Sequence, residues 1–256
     1  MRLEERRLLK FGLVGGGIIA LIPGLFLTFM LFLGLSVVPT LPAIAGTPAP
    51  RLIKDALWAR AGGGRAPELR SVNPLNVVGH LACRQFSGVP DNPKPEHDSR
   101  AADCARWLPA MAGLEYLSNL HLKDVSVERN SFRGGAGSFA TVLRLSASWT
   151  REDLLNTLAA SGDFGYGWRG VNAAARGYLN KAPDQLALHE AALIASFIGE
   201  RYLQAWCHPG ALTASRNRTL ARMRDNGAIS EVDFRAAAAR PLILAAPPEH
   251  RPPCRE

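Results

Sequence analysis

Residues 149–223 read WTREDLLNTLAASGDFGYGWRGVNAAARGYLNKAPDQLALHEAALIASFIGERYLQAWCHPGALTASRNRTLARM, and their punctuation sets the fold class. Four helical patterns are separated by short Gly, Pro and Asp breaks. The first spans Thr150 to about Ser161, with Thr150 placed as N-cap and Asp153 at N3 able to complete a capping box. The second, Trp168 to Asn180, is Ala-rich and follows the turn Gly165-Tyr166-Gly167. The third starts near Pro183-Asp184 and has an almost wholly apolar body from Leu186 to Ile198. The fourth runs from about Ala211 to Arg224, with Arg222 and Arg224 in its last turn and Gly227 as the residue that ends it. No strand alternation follows Trp168, so the expected fold is mostly α.

Working outward toward the N-terminus, residues Met1 to Lys10 carry Arg2, Arg6, Arg7 and Lys10, and Phe11 to Val38 carry no charge. An uncharged run longer than about 20 residues is enough for a helix to cross a bilayer. The flanking positive charge predicts a cytoplasmic tail over 1–10, a transmembrane anchor over 11–38 and an exported domain beyond it. A cleaved signal peptide is the competing reading, since Ala43-Ile44-Ala45 fits a small-residue cleavage site, but a signal h-region is only about 7–15 residues. Residues 39–72 read as a linker rich in Pro, Ala and Thr followed by a juxtamembrane helix. The segment Arg51 to Arg60, with Leu52, Ile53, Ala56 and Leu57 on one face, suits either a membrane surface or a packing face on the domain.

The 256 residues, 47% of them apolar, suit one anchor and one globular domain, 73–256. The formal charge of +8 is an arginine excess, which favours anionic partners such as lipid headgroups or a pyrophosphate. No zinc-finger, RNA-binding or DNA-reading pattern is present, which excludes nucleic acid as the expected partner. All four cysteines, Cys83, Cys104, Cys207 and Cys254, lie beyond the apolar run, and an even count in an oxidising compartment predicts two disulfides whose pairing the sequence leaves open. The cysteines and histidines have no metal-ligand spacing, so no metal site is expected from them. Asn73 to Cys83 and Arg100 to Leu122 are helical by pattern, and Trp107, Met111, Leu114 and Leu117 recur at core spacing beside Tyr116. Ser126 to Ser138 reads as a loop whose glycines Gly134, Gly135 and Gly137 form a turn or a degenerate phosphate cradle, without the Lys-Ser/Thr of a P-loop.

Order and spacing from Thr150 to Ile229 resemble the C-terminal half of the peptidoglycan glycosyltransferase domain, glycosyltransferase family 51, the transglycosylase module of penicillin-binding proteins. Thr150-Arg151-Glu152-Asp153-Leu154-Leu155 stands where the family has T-x-E-E-I-L. Phe164-Gly165 and Gly170 to Tyr178 stand for Y-F-G…G-I-x-A-A-A-x-x-Y. Leu186 to Leu193 stands for L-T-L-x-E-A-A-L, and Pro209 to Met223 with Gly227-Ala228-Ile229 stands for the closing P…R-R…R-M…G-x-I. The resemblance implies a single-pass protein of the bacterial inner membrane, its N-terminus cytoplasmic and a shortened lysozyme-like α-helical domain in the periplasm. It also implies contact with a lipid-linked cell-wall precursor, with glycan or with envelope and cell-wall synthesis proteins.

The family's chemistry needs a glutamate base in E-D-x-x-F-x-x-H-x-G, to deprotonate a sugar hydroxyl, and cationic help for a leaving pyrophosphate. The first segment has no counterpart here; Glu96-His97-Asp98 lacks its Phe and Gly. Glu115 and Glu128 are the remaining candidates for a base. The R-K-x-x-E helix is expected to be deleted, because Thr150 follows so soon after Leu143. The family's G-G-S-T-I-T-Q-Q-L is echoed as Ala136-Gly137-Ser138-Phe139-Ala140-Thr141-Val142-Leu143 without its glutamines, and the glutamate of I-L-E-x-Y-L-N is Asn156. Arg216, matching the second arginine of R-R, and Lys181 are the substrate-binding candidates, with a structural role for Arg216 as the alternative. Glu190 reads as a helix N-terminal charge and His189 as a satisfied histidine. The expectation is a relative impaired in catalysis that binds precursor, glycan or an envelope partner and needs no cofactor. The alternatives are an active polymerase, which would use a divalent metal, and a lytic enzyme in which one glutamate serves as general acid.

Overall fold

The structure is a computed structural model that describes residues 24–65, 68–69, 71–76, 79, 110–198, 205–249 and 254. Its described residues form helices and no strand; an isolated bridge between Asp163 and Arg169 is the one piece of β pairing among them. Residues 24–37 form helix α1. Then come α2 (Arg51–Ala61), α3 (Met111–Asp124), α4 (Phe132–Ser148), α5 (Arg151–Ser161), α6 (Val171–Leu179), a 3-10 turn Pro183–Gln185, α7 (Leu188–Ser196), α8 (Pro209–Asp225) and α9 (Glu231–Ala238).

Helix α2 is the element that the others surround. It packs against α3, α5, α7 and α8 and buries Ile53, Ala56, Leu57, Trp58 and Ala59. Burying a side chain of the size of Ile or Leu contributes about 1.5–3 kcal/mol, so these positions hold the bundle together. Of the two faces that the sequence left open for this helix, packing on the domain is the one in the structure. Its C-terminal glycines have distinct jobs. Gly62, at φ 81°, ends the helix in the left-handed region. A Cβ on Gly63 would run into the Trp58 indole, whose Nε1 donates to the Gly64 carbonyl at 3.0 Å. On the other side of the indole, the Arg151 guanidinium lies 4.6 Å from the ring centre.

The four helical patterns of 149–223 are present, the first three with shortened ends and the fourth extended to Pro209–Asp225. Thr150 and Asp153 form the expected capping box, and α8 ends before Gly227 at φ 78°. Tyr178, Phe164, Leu154, Leu155 and Leu158 are fully buried between α5 and α6. The Tyr178 ring stacks on Phe197 at 3.9 Å, and its hydroxyl donates to the Phe164 carbonyl at 2.7 Å. The C-terminal tail closes over this layer. Ala245 N–H donates to the Tyr178 carbonyl at 2.7 Å, Trp206 Nε1 donates to the Ala245 carbonyl at 2.9 Å, and Cys207 is disulfide-bonded to Cys254. That is one of the pairings the sequence allowed; Cys83 and Cys104 lie outside the described residues.

Residues 126–138 depart from the sequence reading. The expected loop is two pieces, a short turn and the start of a 17-residue helix, α4, which runs through Gly134-Gly135-Ala136-Gly137. Ser131 caps it by accepting from the Gly134 N–H at 2.9 Å. Glycines in a helix cost roughly 1 kcal/mol each relative to alanine, and close packing is what offsets this. A Cβ on Gly134 would strike the Glu128 carbonyl, and one on Gly137 would strike Val38 and Leu122. Helix α4 carries the Ala136–Leu143 echo and ends at Ser148, and α5 begins at Arg151, so no further helix stands between that echo and Thr150; α4 has no carboxylate, its only charges being Arg133 and Arg144.

The linker also has a place. Arg144 donates to the carbonyls of Val38 and Pro39, both at 3.0 Å, and His121 Nε2 donates to the Thr40 carbonyl at 3.1 Å. Farther along, Ala45 N–H donates to Thr157 Oγ1 at 3.2 Å and Ala49 N–H to Asn156 Oδ1 at 3.0 Å. Residues 38–49 thus run as a strap along α3, α4 and α5 into α2. Among the described residues no helix is long and apolar enough to cross a membrane. Helix α1 is the end of the charge-free run, and the remainder of the proposed anchor, the tail 1–10, Trp107 and the Glu96-His97-Asp98 segment lie outside the described residues.

Candidate functional site

The polar residues singled out in 149–229 gather around the N-terminal end of α7. Lys181 Nζ reaches Glu190 Oε1 at 2.6 Å, while Glu190 Oε2 accepts from the Ala187 N–H at 2.9 Å. Glu190 thus caps α7 and pairs with the lysine that follows α6. Burial works to raise the Glu190 pKa. The hydrogen bonds from Lys181 and the Ala187 amide, with the charges of Lys181 and His189, outweigh it and leave the carboxyl below its ordinary value. His189 is pulled the other way: burial lowers its pKa, Glu190 opposes, and the charges of Arg216, Arg240 and Lys181 add to the lowering. The imidazole is thereby held toward its neutral form.

Arg216, expected as a substrate-binding candidate or a structural residue, is 1% exposed. Its Nη1 donates to the Arg240 carbonyl at 2.8 Å, its Nη2 to the Ala238 carbonyl at 2.9 Å and its Nε to Asn217 Oδ1 at 3.0 Å. These contacts use the guanidinium's fork to satisfy carbonyls that the end of α9 would otherwise leave unmet. Burial pushes its pKa below the usual arginine value. A guanidinium so enclosed and so engaged is not presented to a phosphate. Ser215, where the family has its first arginine, is also buried, and its hydroxyl has no hydrogen-bond partner among the described residues.

The two glutamates proposed as a base are placed differently. Glu128 is exposed in the turn before α4, and its contribution to structure is its carbonyl, which accepts from the Ser131 hydroxyl at 2.6 Å. Glu115 is half-buried on α3 beside Tyr116. The Tyr116 hydroxyl donates to the Asp163 carbonyl at 3.0 Å and accepts from the Asp163 N–H at 2.7 Å, which pins α3 to the turn ahead of α6. That turn holds three consecutive residues at positive φ, Gly165, Tyr166 and Gly167. Tyr166 there makes edge contact with Trp206 at 5.1 Å, so the turn serves an aromatic cluster.

Sequence reasoning missed a cavity of about 180 Å³ between α2, α3, α5 and α8, lined by Leu57, Tyr116, Leu158 and Ile198 with Arg60 and Arg222. Arg60 Nε donates to the Ile198 carbonyl at 3.1 Å. Arg60 was unreadable as part of this cavity because α2 could have faced a membrane. Sites for drug-sized ligands run to about 300–1,000 Å³, so the cavity is too small for a lipid-linked disaccharide. Among the described residues no three His, Cys, Asp or Glu side chains come together to hold a metal ion.

The position of the family's third glutamate is informative. Asn156 on α5 stands there, and its side-chain oxygen receives the strap at Ala49. A residue that would face substrate is here a fastening for the linker.

No curated protein matches the chain. Residues 117–224 match the family model described as Transglycosylase, a match that opens inside α3, crosses α4 to α7 and closes in the last turn of α8. It covers under half of the chain and includes the Thr150 to Tyr178 motifs, the Lys181–Glu190 pair and Arg216.

Proposed function

We propose that this is a membrane-anchored, periplasm-facing transglycosylase-like protein that binds lipid-linked cell-wall precursor without polymerising it. The observation that carries the reading is the use made of the family's polar positions. Arg216 and the Lys181–Glu190 pair serve helix ends, Asn156 fastens the strap, and the helix before Thr150 has no carboxylate. Glycosyl transfer needs a base for the acceptor hydroxyl and fixed positive charge for the departing pyrophosphate. The arginine excess and the charge-free N-terminal run favour an anionic lipid as ligand over soluble glycan.

The reading is tested with purified full-length protein in detergent and labelled lipid-linked disaccharide. Saturable retention of the label, unchanged in Glu115→Gln/Glu128→Gln protein, is the expected result. No retention would overturn the precursor reading and leave an envelope protein as the partner to seek. Release of soluble fragments from purified sacculi would overturn it in favour of glycan cleavage.

A further inference from the structure

The strap between Val38 and Pro50 has no helix or strand of its own, and it is held from one side. The hydrogen bonds that fix it run between side chains of three helices and its backbone. His121 of α3 meets the Thr40 carbonyl, and Arg144 of α4 meets the carbonyls of Val38 and Pro39. On α5, Thr157 accepts from the Ala45 N–H and Asn156 from the Ala49 N–H. The strap's own side chains add little: Ala43, Ile44, Gly46, Thr47 and Pro48 are exposed. A segment with few buried apolar groups opens at a fraction of the cost of global unfolding. The helices beneath it are anchored separately, by fully buried Leu122, Leu145, Leu154 and Leu155.

The groove that the strap fills is polar, and its polarity is sorted. Donors stand at one end, Arg144 and His121, and acceptors at the other, Asn156 and Thr157. An extended peptide satisfies both because it offers carbonyls and N–H groups. A ligand with phosphate oxygens at one end and hydroxyl or amide donors at the other would satisfy both equally well.

The closed strap leaves one group of this groove unused. Gly137, Thr141 and Arg144 follow one another at helical spacing on a single face of α4. Gly137 lies against Val38, where a Cβ would strike its side chain, and Arg144 holds the strap's first carbonyls. Thr141 stands between them, 0% exposed, with no hydrogen-bond partner for its hydroxyl. A helical threonine usually turns its hydroxyl to a carbonyl of the preceding turn, and a buried hydroxyl left unmet weakens the fold. The hydroxyl has no role in the closed form; it has one when another molecule lies where the strap lies.

We propose that residues 39–49 are an autoinhibitory strap. Their backbone occupies the groove of His121, Thr141, Arg144, Asn156 and Thr157, which takes the polar head of the lipid-linked precursor once the strap is displaced. This rests on the precursor reading given above. The ends of the strap stay in place, because Val38 is buried and Pro50 is the N-cap of α2; the segment between them bows outward. Apparent affinity for the precursor is then the affinity of the open groove reduced by the fraction of molecules that are open.

The test uses full-length protein in detergent with labelled lipid-linked disaccharide. Ala45→Pro with Ala49→Pro removes the two N–H groups that α5 receives and alters no side chain of the groove. This variant should be cut faster by protease within 39–49 and should retain precursor at least about fivefold more tightly than wild type. Ala45→Cys with Thr157→Cys, in a background with Cys83→Ser and Cys104→Ser, fastens the strap to α5 by a disulfide. The oxidised form should retain no precursor and reduction should restore retention, the background protein under the same reductant serving as control. Thr141→Val should weaken retention about 2- to 10-fold at a melting temperature that does not fall; unchanged retention there would overturn the groove as the precursor's place. Equal retention by the oxidised and reduced locks, or faster cutting of the proline variant with unchanged retention, would overturn the autoinhibition and leave the precursor reading standing. Faster cutting with no retention by any form would overturn the precursor reading and this proposal with it.

Discussion

The two sides of Thr150 differ in what their polar and small residues do, although the family match over residues 117–224 spans both. On the C-terminal side, charged and polar residues that match family motifs are kept, and each holds the fold: Arg216 closes α9, Glu190 with Lys181 caps α7, and Asp153 with Thr150 caps α5. On the N-terminal side, helix α4 has no carboxylate and is built for closeness. Its Ala136, Gly137 and Ala140 let α1 and the start of the strap approach closely, and its Gly134 lets the turn at Glu128 do the same. The lesson is that the charges found in these motifs are ones that satisfy the backbone. A buried unmet carbonyl costs stability at every moment, whereas a missing substrate ligand costs only activity.

The largest effect that would break this comparison is at Arg216. Arg216→Met removes the part-buried bonds to the Ala238 and Arg240 carbonyls, and a hydrogen bond from a charged group contributes about 1.5–3 kcal/mol, so the loss of stability is roughly 3–6 kcal/mol. Thermal unfolding in detergent measures it. An unchanged melting temperature together with lost precursor binding would return Arg216 to the role of a substrate ligand.

Next in size is the clasp on the C-terminal tail. Cys207→Ser with Cys254→Ser opens a loop with a sequence separation of 47 and should cost about 2–4 kcal/mol. The tail over Tyr178 is held by Ala245 and Trp206 as well, so amide exchange at Ala245 should quicken before the core helices respond.

Gly34→Leu probes the N-terminal side. Its side chain would meet the Ala136 carbonyl and Ala140, and overpacking of this kind typically costs about 1–3 kcal/mol. The expected outcome is faster proteolysis within the strap 38–49 while α5 to α8 stay folded. Uniform destabilisation of the whole domain would show that the two sides are not separable.

The smallest effect is the pH dependence of the α7 cap. A carboxyl held below its ordinary value of 4.5 stabilises the fold above that pH and ceases to do so as pH falls through its lowered value in the folded state. Unfolding free energy should therefore decline below about pH 4.5 more steeply in wild type than in Glu190→Gln. Lys181→Met, which removes a partly exposed partner, should cost about 1 kcal/mol or less near neutral pH. Equal acid slopes for wild type and Glu190→Gln would show that the carboxyl is not favoured in its charged form.

Legibility in the sequence followed the range of the forces involved. Helix α5 could be read because its cap is local: Thr150 and Asp153 are three residues apart, and the same spacing in Ser230 and Asp233 marks α9, a helix that the sequence analysis did not draw out. Helix α4 was misread because propensity counts three glycines against it, and the contacts that two of them allow, Gly134 with the Glu128 carbonyl and Gly137 with Val38, are with residues outside the helix. The position of α2 at the centre was undecidable for a related reason. An apolar face on Arg51–Ala61 looks the same whether it meets lipid or α7. The candidate site divides in the same manner. The capping charge of Glu190 followed from its position, but the carbonyls that receive Arg216 are Ala238 and Arg240, which no nearby motif announces. The cavity with Arg60 and Arg222 is built from four helices and has no signal in any one of them.

The measurement that tests the central claim most directly is polymerisation itself. Full-length protein is incubated with labelled lipid-linked disaccharide and Mg²⁺ or Mn²⁺, and glycan chains are resolved on a gel. The account predicts that the label remains as monomeric precursor at every time and protein concentration. Chains that lengthen with time, and that vanish in Glu115→Gln or Glu128→Gln protein, would contradict it and show that a new base has taken the place of the missing one.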